Sequence, residues 1–288
     1  VSKGVLEEFY LKKDRVDYDG DAGEAIMQLS DAQEKACQEI KTSFNQQDVV
    51  LLHGVTASGK TEIYITLIEE QLTSGKQVLF MLPEIALTTQ LITRLQFYFG
   101  EKISVYHSKY SVNERVEVWN NVLQKKAKAQ IIIGARSSIF LPFSNLGLIV
   151  VDESHEPSFK QYNPAPRYHA RDRAVVLANI HQGKLLMGSA TPSLESYHNA
   201  KEGKYGLVEL KTRFGNIQMP RIELVDIKEK HKKKKMTGHF SDRLLEEIQE
   251  SLKNEEQIIL FQNRRGFSPI VECKTCGTSP QCSNCDVS

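Results

Sequence analysis

The sequence predicts an α/β protein built on a doubly wound parallel sheet. From about residue 29 onward, short and continuously apolar runs alternate with longer stretches of helical periodicity, and a glycine-rich loop joins the first apolar run to the next helix. A strand that is buried on both faces of a parallel sheet is apolar throughout, whereas the helices that cover the sheet are amphipathic. The 288 residues have room for one large domain or two ordinary ones.

Each element follows from its local pattern, taken in chain order. Apolar residues at helical spacing behind a capping residue, Ser30 or Asp31, predict a helix that ends near Phe44. Runs of branched apolar residues predict strands, and the amphipathic stretches between them predict helices. The expected strands are residues 49–52, 78–82, 103–106, 131–133, 148–151 and 185–187. The expected helices after the first one are residues 62–72, 86–99, 112–123 and 171–180.

A second unit is predicted after a pause in this pattern at residues 210–220. Residues 222–227 and 258–261 are expected to form strands, and residues 241–252 a helix that is capped by its first serine. Six lysines fall within residues 228–235. A cluster of this kind is usually a solvated loop, and the alternative is a loop that contacts phosphate.

Composition excludes several classes of protein. Hydrophobic residues make up 40% of the chain and charged residues 25%, and the formal net charge is +1. These values exclude intrinsic disorder, a collagen-like chain and a disulfide-stapled miniprotein. No apolar run approaches the roughly 18–20 residues of a membrane span, and the first residues lack the apolar stretch of a secretory signal, so a cytoplasmic protein without a membrane partner is expected. The near-neutral charge counts mildly against nucleic-acid binding, although basic residues can be confined to one cleft.

A phosphate-binding loop is the most specific motif in the chain. Residues 54–61, Gly-Val-Thr-Ala-Ser-Gly-Lys-Thr, fit the pattern GxxxxGK[ST] between a predicted strand and a predicted helix. In such a loop the backbone wraps a phosphate, and the N–H groups at the start of the helix point at the anion. Lys60 is expected to reach the β- and γ-phosphates, and the Thr61 hydroxyl to bind Mg²⁺. The predicted nucleotide-binding residues in the loop are Gly54, Thr56, Ala57, Ser58, Gly59, Lys60 and Thr61.

Two adjacent acids end the predicted strand at residues 148–151, about 90 residues after this loop. Asp152 is expected to hold Mg²⁺ through water, and Glu153 to orient and deprotonate the attacking water. An acidic pair after a strand is by itself more often a turn, but the P-loop favours the catalytic interpretation. Lys60, Asp152 and Glu153 are therefore the predicted catalytic residues. His155, the fourth member of Asp-Glu-x-His, is a candidate link between the nucleotide state and a bound polymer.

A third candidate motif, Gly-Ser-Ala-Thr at residues 188–191, follows the next apolar strand. Small polar residues often do no more than end a strand. In the functional interpretation, Ser189 and Thr191 hydrogen-bond the acidic cluster and relay loss of the γ-phosphate to the rest of the molecule. The motif is weak alone and gains weight from the two motifs before it.

Aromatic and basic residues interleave between residues 158 and 171. Stacking on bases combined with neutralisation of phosphates is how single strands are held without sequence preference. The alternative is a loop whose aromatic residues pack on the sheet while its arginines are solvated. The residues in question are Phe159, Lys160, Tyr162, Arg167, Tyr168 and Arg171.

Four cysteines near the end of the chain have the spacing C-x2-C-x5-C-x2-C. In a reducing compartment two such pairs indicate metal ligands rather than disulfides, and a single four-thiolate Zn²⁺ site is the simple inference. The fifth cysteine, Cys37, falls within a helical pattern and is expected to be a small buried hydrophobic residue. The predicted metal ligands are Cys273, Cys276, Cys282 and Cys285.

Taken together, these motifs resemble those of superfamily 2 helicases, and most closely those of the primosomal replication-restart helicases, the PriA family. The P-loop, the Asp-Glu-x-His box and the Gly-Ser-Ala-Thr motif are general to the superfamily. Three segments, with the cysteines that follow the last of them, point to the narrower family. These are Pro-Glu-Ile-Ala-Leu-Thr at residues 83–88, Arg-Tyr-His-Ala-Arg-Asp at 167–172 and Asn-Arg-Arg-Gly at 263–266.

The resemblance implies roles for further residues. Gln33 stands where helicases of this kind contact adenine, and residues 83–88 and 134–138 follow strands whose ends meet DNA phosphates, with Arg136 adding a charge-assisted contact. The segment after residue 155 resembles the aromatic-rich loop that couples DNA binding to hydrolysis. In the family, eight cysteines bind two zinc ions in interleaved pairs, which disputes the single four-thiolate site and leaves the four thiols here as half-sites.

The resemblance also implies an overall organisation and an activity. Residues 26–210 would be a RecA-like helicase lobe 1 that binds ATP and Mg²⁺, after a linker or remnant at 1–25, followed by the start of lobe 2 at 211–270 and a partial Zn²⁺ module at 271–288. The expected activity is ATP-dependent 3′–5′ unwinding at stalled replication forks. Expected partners are forked and single-stranded DNA, single-strand-binding protein, and primosome proteins that load the replicative helicase.

A chain lacking the arginines of lobe 2 is expected to hydrolyse ATP slowly or not at all. The alternatives are another nucleic-acid-dependent ATPase, or a zinc-stabilised scaffold that binds DNA or protein without turnover.

Overall fold

The computed structural model describes residues 28–84, 89–108, 110–213 and 221–261, and within them seven strands form one parallel sheet. The strands are β1 (Val49–Gly54), β2 (Gln77–Met81), β3 (Ile103–Tyr106), β4 (Ile131–Gly134), β5 (Leu146–Val151), β6 (Lys184–Ser189) and β7 (Gly206–Leu210). Their order across the sheet is β3-β4-β2-β5-β6-β1-β7, and every neighbouring pair is parallel. The predicted fold class, an α/β doubly wound parallel sheet of the P-loop type, is confirmed.

Helices connect the strands and cover both faces of the sheet. They are α1 (Asp31–Phe44), α2 (Lys60–Thr73), α3 (Thr89–Phe99), α4 (Val112–Leu123), α5 (Ala170–His181) and α6 (Leu194–Lys201). One apolar core lies between the sheet and α1, α2 and α3, and a second lies between the sheet and α4, α5 and α6. The strands of both cores are almost entirely buried, as their continuous apolar sequences require.

The order of the strands brings three distant segments together. Strand β6 pairs with β5 on one side and with β1 on the other, so the carboxyl ends of these three parallel strands are neighbours. The P-loop follows β1, the acidic pair follows β5, and the Gly-Ser-Ala-Thr motif ends β6. In open parallel sheets, ligands bind outside the carboxyl ends of the strands. The fold therefore places all three motifs together at the carboxyl ends of these neighbouring strands.

Two elements of this sheet unit were not predicted. Both α6 and β7 follow residue 190, where the sequence Leu-Glu-Ser-Tyr-His-Asn-Ala-Lys has little helical amphipathicity and Gly-Leu-Val-Glu-Leu is short. Strand β7 extends the sheet at its edge by pairing with β1. Among the described residues it is the last strand of this sheet.

Residues 221–261 belong to a second compact unit. It contains α7 (Ile227–Lys232), a short antiparallel pair of β8 (Met236–Thr237) and β9 (Phe240–Ser241), and α8 (Asp242–Lys253), whose predicted serine cap, Ser241, is confirmed. The strands predicted at 222–227 and 258–261 are wrong, because neither run pairs with another strand among the described residues. The lysine-rich stretch is also not a simple loop, since Asp226 caps a helix within it by accepting from the N–H groups of Lys228 and Glu229.

In the parts of the chain that the structure describes, no helix is both long and apolar enough to cross a membrane.

Candidate nucleotide-binding site

The P-loop is a tight turn between β1 and α2. The N–H of Ser58 donates to the carbonyl of Val55 at 3.1 Å, and Gly59 caps the helix in the left-handed region with φ of +81°. A Cβ atom at position 59 would lie 2.1 Å from Nε2 of Gln33, so glycine is required there both for the backbone and for the space. The start of α2 consequently presents its unpaired N–H groups to the loop.

Lys60 is the first residue of α2, and its side chain folds back over the loop. Its ammonium group donates to the carbonyl oxygen of Gly54 at 3.0 Å, and only 9% of the residue is exposed. Ser58 is buried too, and its hydroxyl has no hydrogen-bond partner among the described residues. A buried cation and an unpaired hydroxyl in one loop are groups that an anionic ligand satisfies.

The acidic pair begins where β5 ends. The N–H of Asp152 donates to the carbonyl of Met81 at 3.0 Å, which holds the turn against the end of β2, and Glu153 has a φ of +47°. A non-glycine residue in the left-handed region is uncommon and often marks a functional turn. The pKa of the Asp152 carboxyl is raised, mainly because burial removes water from the carboxylate, and the nearby charge of Glu153 adds to this effect. The hydrogen bond from Tyr64 and the charge of Lys60 act in the opposite direction and lower the pKa.

The loop and the acidic pair line one pocket of about 360 Å³. Its volume falls in the range of small-molecule sites. Arg94 of α3 lines the same pocket and forms an ion pair with Glu62, although the sequence motifs did not point to it. Helical periodicity alone could not have singled out this arginine, because it lies outside every motif. The lining residues are Thr56, Ala57, Ser58, Gly59, Lys60, Thr61, Glu62, Arg94, Asp152 and Glu153.

The residues of this pocket fit a nucleoside triphosphate together with Mg²⁺. The loop N–H groups and Lys60 supply donors and positive charge for phosphates. Thr61 and Asp152 supply the hydroxyl and carboxylate oxygens that Mg²⁺ prefers. Both kinds of ligand group line the same pocket, which therefore brings together the predicted cofactor-binding residues except Gln33 and Gly54.

Gln33 supports the P-loop from outside the pocket. Its amide nitrogen donates to the carbonyl of Gly59 at 3.0 Å, and its amide oxygen accepts from the N–H of Ser30 at 2.9 Å and from the Ser30 hydroxyl at 2.8 Å. The residue is 2% exposed. One amide hydrogen remains for a ligand, so the contact with adenine stays a prediction.

His155 and Ser189 link the ends of β5 and β6. Nδ1 of His155 lies 2.8 Å from the hydroxyl of Ser189, and that hydroxyl also accepts from the N–H of Thr191 at 3.0 Å. His155 further lies 3.5 Å from a carboxylate oxygen of Glu153. Ser189 is fully buried, whereas the side chain of Thr191 is exposed and joins the network only through its backbone. The predicted contact between the third motif and the acidic box is thus present through Ser189.

Two arginines of the predicted DNA-coupling set bind the protein's own backbone. The guanidinium of Arg136 donates to the carbonyls of Ser158 at 3.4 Å and Lys160 at 3.2 Å. The guanidinium of Arg171 donates to the hydroxyl of Ser193 at 2.8 Å and to the carbonyl of Ser154 at 3.4 Å. Both therefore hold the segment that follows the acidic box.

The aromatic residues of that segment divide into two groups. Phe159 is fully buried and Tyr168 is 7% exposed; both pack in the core beneath α5, and Tyr168 meets the ring of Phe140 edge to face. The prediction that these two rings stack on bases is wrong, because the sheet needs their apolar surface. Tyr162 is 66% exposed and Arg167 is exposed as well, so these two side chains remain accessible to a single strand of nucleic acid.

The predicted zinc ligands Cys273, Cys276, Cys282 and Cys285, the Asn-Arg-Arg-Gly segment and residues 85–88 lie outside the described residues. Within the described ranges, no group of three or more His, Cys, Asp or Glu side chains is arranged to hold a metal ion. Cys37 is 2% exposed, which confirms its prediction as a buried residue, and burial raises the pKa of its thiol.

Comparison with known proteins gives consistent matches. The family model for DEAD/DEAH box helicases matches residues 30–200. The chain is 41% identical over 292 residues to replication restart protein PriA of Bacillus subtilis, covering 100% of this chain and 36% of that protein. It is 45% identical over 239 residues to PriA of Haemophilus influenzae, covering 83% of this chain and 32% of that protein.

A solved structure of RecG bound to a three-way DNA junction matches with 23% identity and a TM-score of 0.46, covering 67% of this chain and 24% of RecG. The chain spans about a third of the length of the curated relatives named above. Because the family model covers more than half of its residues, the chain belongs to the DEAD/DEAH box helicases, and it is similar to the PriA proteins over the matched residues.

Proposed function

We propose that this chain is the ATP-binding part of a DNA helicase that restarts stalled replication forks. The observation that carries the proposal is the pocket in which the P-loop faces Asp152 and Glu153. The 41% identity to the replication restart protein of Bacillus subtilis, over 100% of this chain and 36% of that protein, supports the biological assignment. The proposed polarity is 3′ to 5′, and the proposed outcome is assembly of a primosome.

The pocket residues divide the work of ATP hydrolysis. Lys60 and the N–H groups of the P-loop would bind the phosphates, Thr61 would hold Mg²⁺ through its hydroxyl, and Asp152 would hold it through water. When bound, the metal ion neutralises charge on the phosphate oxygens. Glu153 orients the attacking water and accepts its proton at the carboxylate. The contact between His155 and Ser189 carries the change at the γ-phosphate to the segment that follows.

The proposed ligands and partners follow from the same assignment. The nucleic acids are forked and single-stranded DNA, with Tyr162 and Arg167 as the accessible side chains of the aromatic segment. The protein partners are single-strand-binding protein and the primosome proteins that load the replicative helicase, in the cytoplasm at the nucleoid. Zn²⁺ bound by Cys273, Cys276, Cys282 and Cys285 is a separate proposal, which native mass spectrometry before and after chelation tests.

The decisive experiment is phosphate release from ATP by the full-length protein, with and without forked DNA, beside the 288-residue chain. Stimulation by forked DNA is expected in the full-length protein. Equal stimulation by RNA duplex would favour another nucleic-acid-dependent ATPase. Binding of DNA without any turnover would contradict the motor assignment and favour the zinc-stabilised scaffold.

A further inference from the structure

Tyr64 lies on α2 one helical turn after Lys60, in neither of the two motifs that line the nucleotide pocket. Residues four positions apart lie on the same face of a helix. The hydroxyl of Tyr64 donates to Oδ1 of Asp152 at 2.8 Å, and Tyr64 is fully buried. The helix that begins with Lys60, the proposed phosphate-binding residue, therefore also carries a donor to the carboxylate that is proposed to hold Mg²⁺.

Gly188 leaves room for this contact. A Cβ atom on Gly188 would lie 1.7 Å from the hydroxyl oxygen of Tyr64, 2.9 Å from its Cζ atom and 3.1 Å from Oδ1 of Asp152. The hydroxyl oxygen thus lies directly against the backbone of β6, where any larger residue would displace it. Three elements meet at this one oxygen: α2, the end of β5 and the end of β6.

The tyrosine is held rigidly enough to orient its partner. Its ring packs edge to face on Phe80 of β2, with centroids 5.6 Å apart, inside the core between the sheet and α1 to α3. A buried hydroxyl without a partner costs free energy, so the bond to Asp152 is strongly favoured. Because the ring is fully buried and packed against Phe80, its hydroxyl is held in place beside Oδ1 of Asp152.

We propose that Tyr64 is a positioning residue for Mg²⁺ binding: its hydroxyl orients the Asp152 carboxylate before the nucleotide arrives, and Gly188 is glycine because that hydroxyl occupies the space of a side chain. The inference rests on the proposed function, since it concerns the metal that accompanies ATP. Hydrogen bonds that orient metal-binding side chains contribute about 10- to 100-fold to metal affinity. Tyr64 makes such a bond without lining the nucleotide pocket.

The test is Tyr64→Phe in the full-length protein, which keeps the ring and removes only the hydroxyl. The probe is a fluorescent ATP analogue, titrated once in excess Mg²⁺ and once in EDTA. We expect the gain in affinity for the analogue on adding Mg²⁺ to be about tenfold smaller in Tyr64→Phe than in the unmodified protein. The affinity measured in EDTA should be the same in both proteins. The matched control is Tyr98→Phe, since Tyr98 lies at the edge of the same core and does not contact Asp152.

Two further readouts separate positioning from packing. In phosphate-release assays, the Mg²⁺ concentration for half-maximal turnover should rise about tenfold in Tyr64→Phe, while kcat at saturating Mg²⁺ should largely recover. In an Asp152→Asn background, adding Tyr64→Phe should change the Mg²⁺ dependence of analogue binding little further, because the two changes remove one interaction.

The outcomes distinguish this inference from the function on which it rests. If the unmodified full-length protein releases no phosphate from ATP in the presence of Mg²⁺ and forked DNA, the proposed function fails. If it releases phosphate but binds the analogue equally with Mg²⁺ and with EDTA, the positioning role is overturned, because the metal then contributes nothing to binding. If the unmodified protein shows Mg²⁺-dependent binding and Tyr64→Phe keeps all of it, the positioning role is overturned. Equal loss of affinity with and without Mg²⁺ would also overturn it, since a general packing defect predicts that result.

Discussion

The amide nitrogen of Gln33 donates a hydrogen bond of 3.0 Å to the carbonyl oxygen of Gly59, which joins the first turn of α1 to the P-loop across 26 residues of sequence. The same side chain accepts two hydrogen bonds from Ser30. Gln33 therefore completes the cap of one helix and fixes the residue that caps another.

Gln33→Ala is expected to loosen the P-loop. The substitution leaves the Gly59 carbonyl and the Ser30 N–H without their partner, which costs about 1–3 kcal/mol of the free energy of unfolding. If support of the loop is the main role, affinities for ATP and GTP fall together, as measured by calorimetric titration. A loss confined to ATP would instead indicate the contact with adenine. Gln38→Ala, on the exposed face of the same helix, is the matched control and should leave both affinities unchanged.

Lys60→Ala and Glu153→Gln should separate binding from chemistry. Lys60→Ala removes the buried cation that faces the phosphates, so nucleotide binding and turnover are both expected to be lost. Glu153→Gln keeps the shape of the side chain and removes its basicity, so binding persists while turnover falls by about 100-fold or more. Equilibrium binding and phosphate release in the full-length protein measure the two effects. Turnover retained by either variant would contradict the assigned role.

The division between buried and exposed aromatic residues predicts opposite phenotypes for Phe159→Ala and Tyr162→Ala. Removing the fully buried ring of Phe159 should cost about 3–5 kcal/mol of the free energy of unfolding, seen in urea denaturation. Tyr162→Ala should change stability by less than about 0.5 kcal/mol. It should nevertheless weaken single-stranded DNA binding by about 1–3 kcal/mol, measured by fluorescence anisotropy. Unchanged DNA affinity in Tyr162→Ala would remove this residue from the proposed interface.

Cys37 should resist alkylation in the folded protein. Burial is the main cause of the raised pKa of its thiol, so the reactive thiolate is scarce and shielded. Its labelling rate should stay low from about pH 8 to 9, where an exposed thiol ionises, and rise only after unfolding in denaturant. Site-resolved mass spectrometry after iodoacetamide treatment measures this. Rapid labelling at pH 8 would contradict the burial of this thiol.

The sheet and the pocket were predictable because their signals are local. Continuous apolar runs identify strands that are buried on both faces, and the spacing within residues 54–61 encodes a loop whose chemistry needs those residue types. The second unit was harder, since residues 222–227 and 258–261 are apolar enough for strands, yet a strand also needs a partner, and local sequence does not show one.

Side-chain roles were less predictable than element positions. Phe159 and Tyr162 are both aromatic and three residues apart, and only the packing of α5 on the sheet decides that one is core and the other is surface. Tyr64 lies outside every motif that the sequence analysis identified. Its relation to Asp152 spans 88 residues and depends on the order of the strands, which a linear pattern does not contain.

Strands β5, β6 and β1 are neighbours in the sheet and carry the pocket at their ends. We therefore expect the pocket and the sheet to unfold together, as one cooperative unit. A site built on edge loops could open locally while the rest of the protein stays folded, but this one is anchored on inner strands whose residues are buried on both faces. Amide protons of Val50, Ile149 and Leu186 should therefore be among the slowest to exchange with solvent. Saturating nucleotide should raise the melting temperature of the whole sheet unit rather than merely ordering one loop.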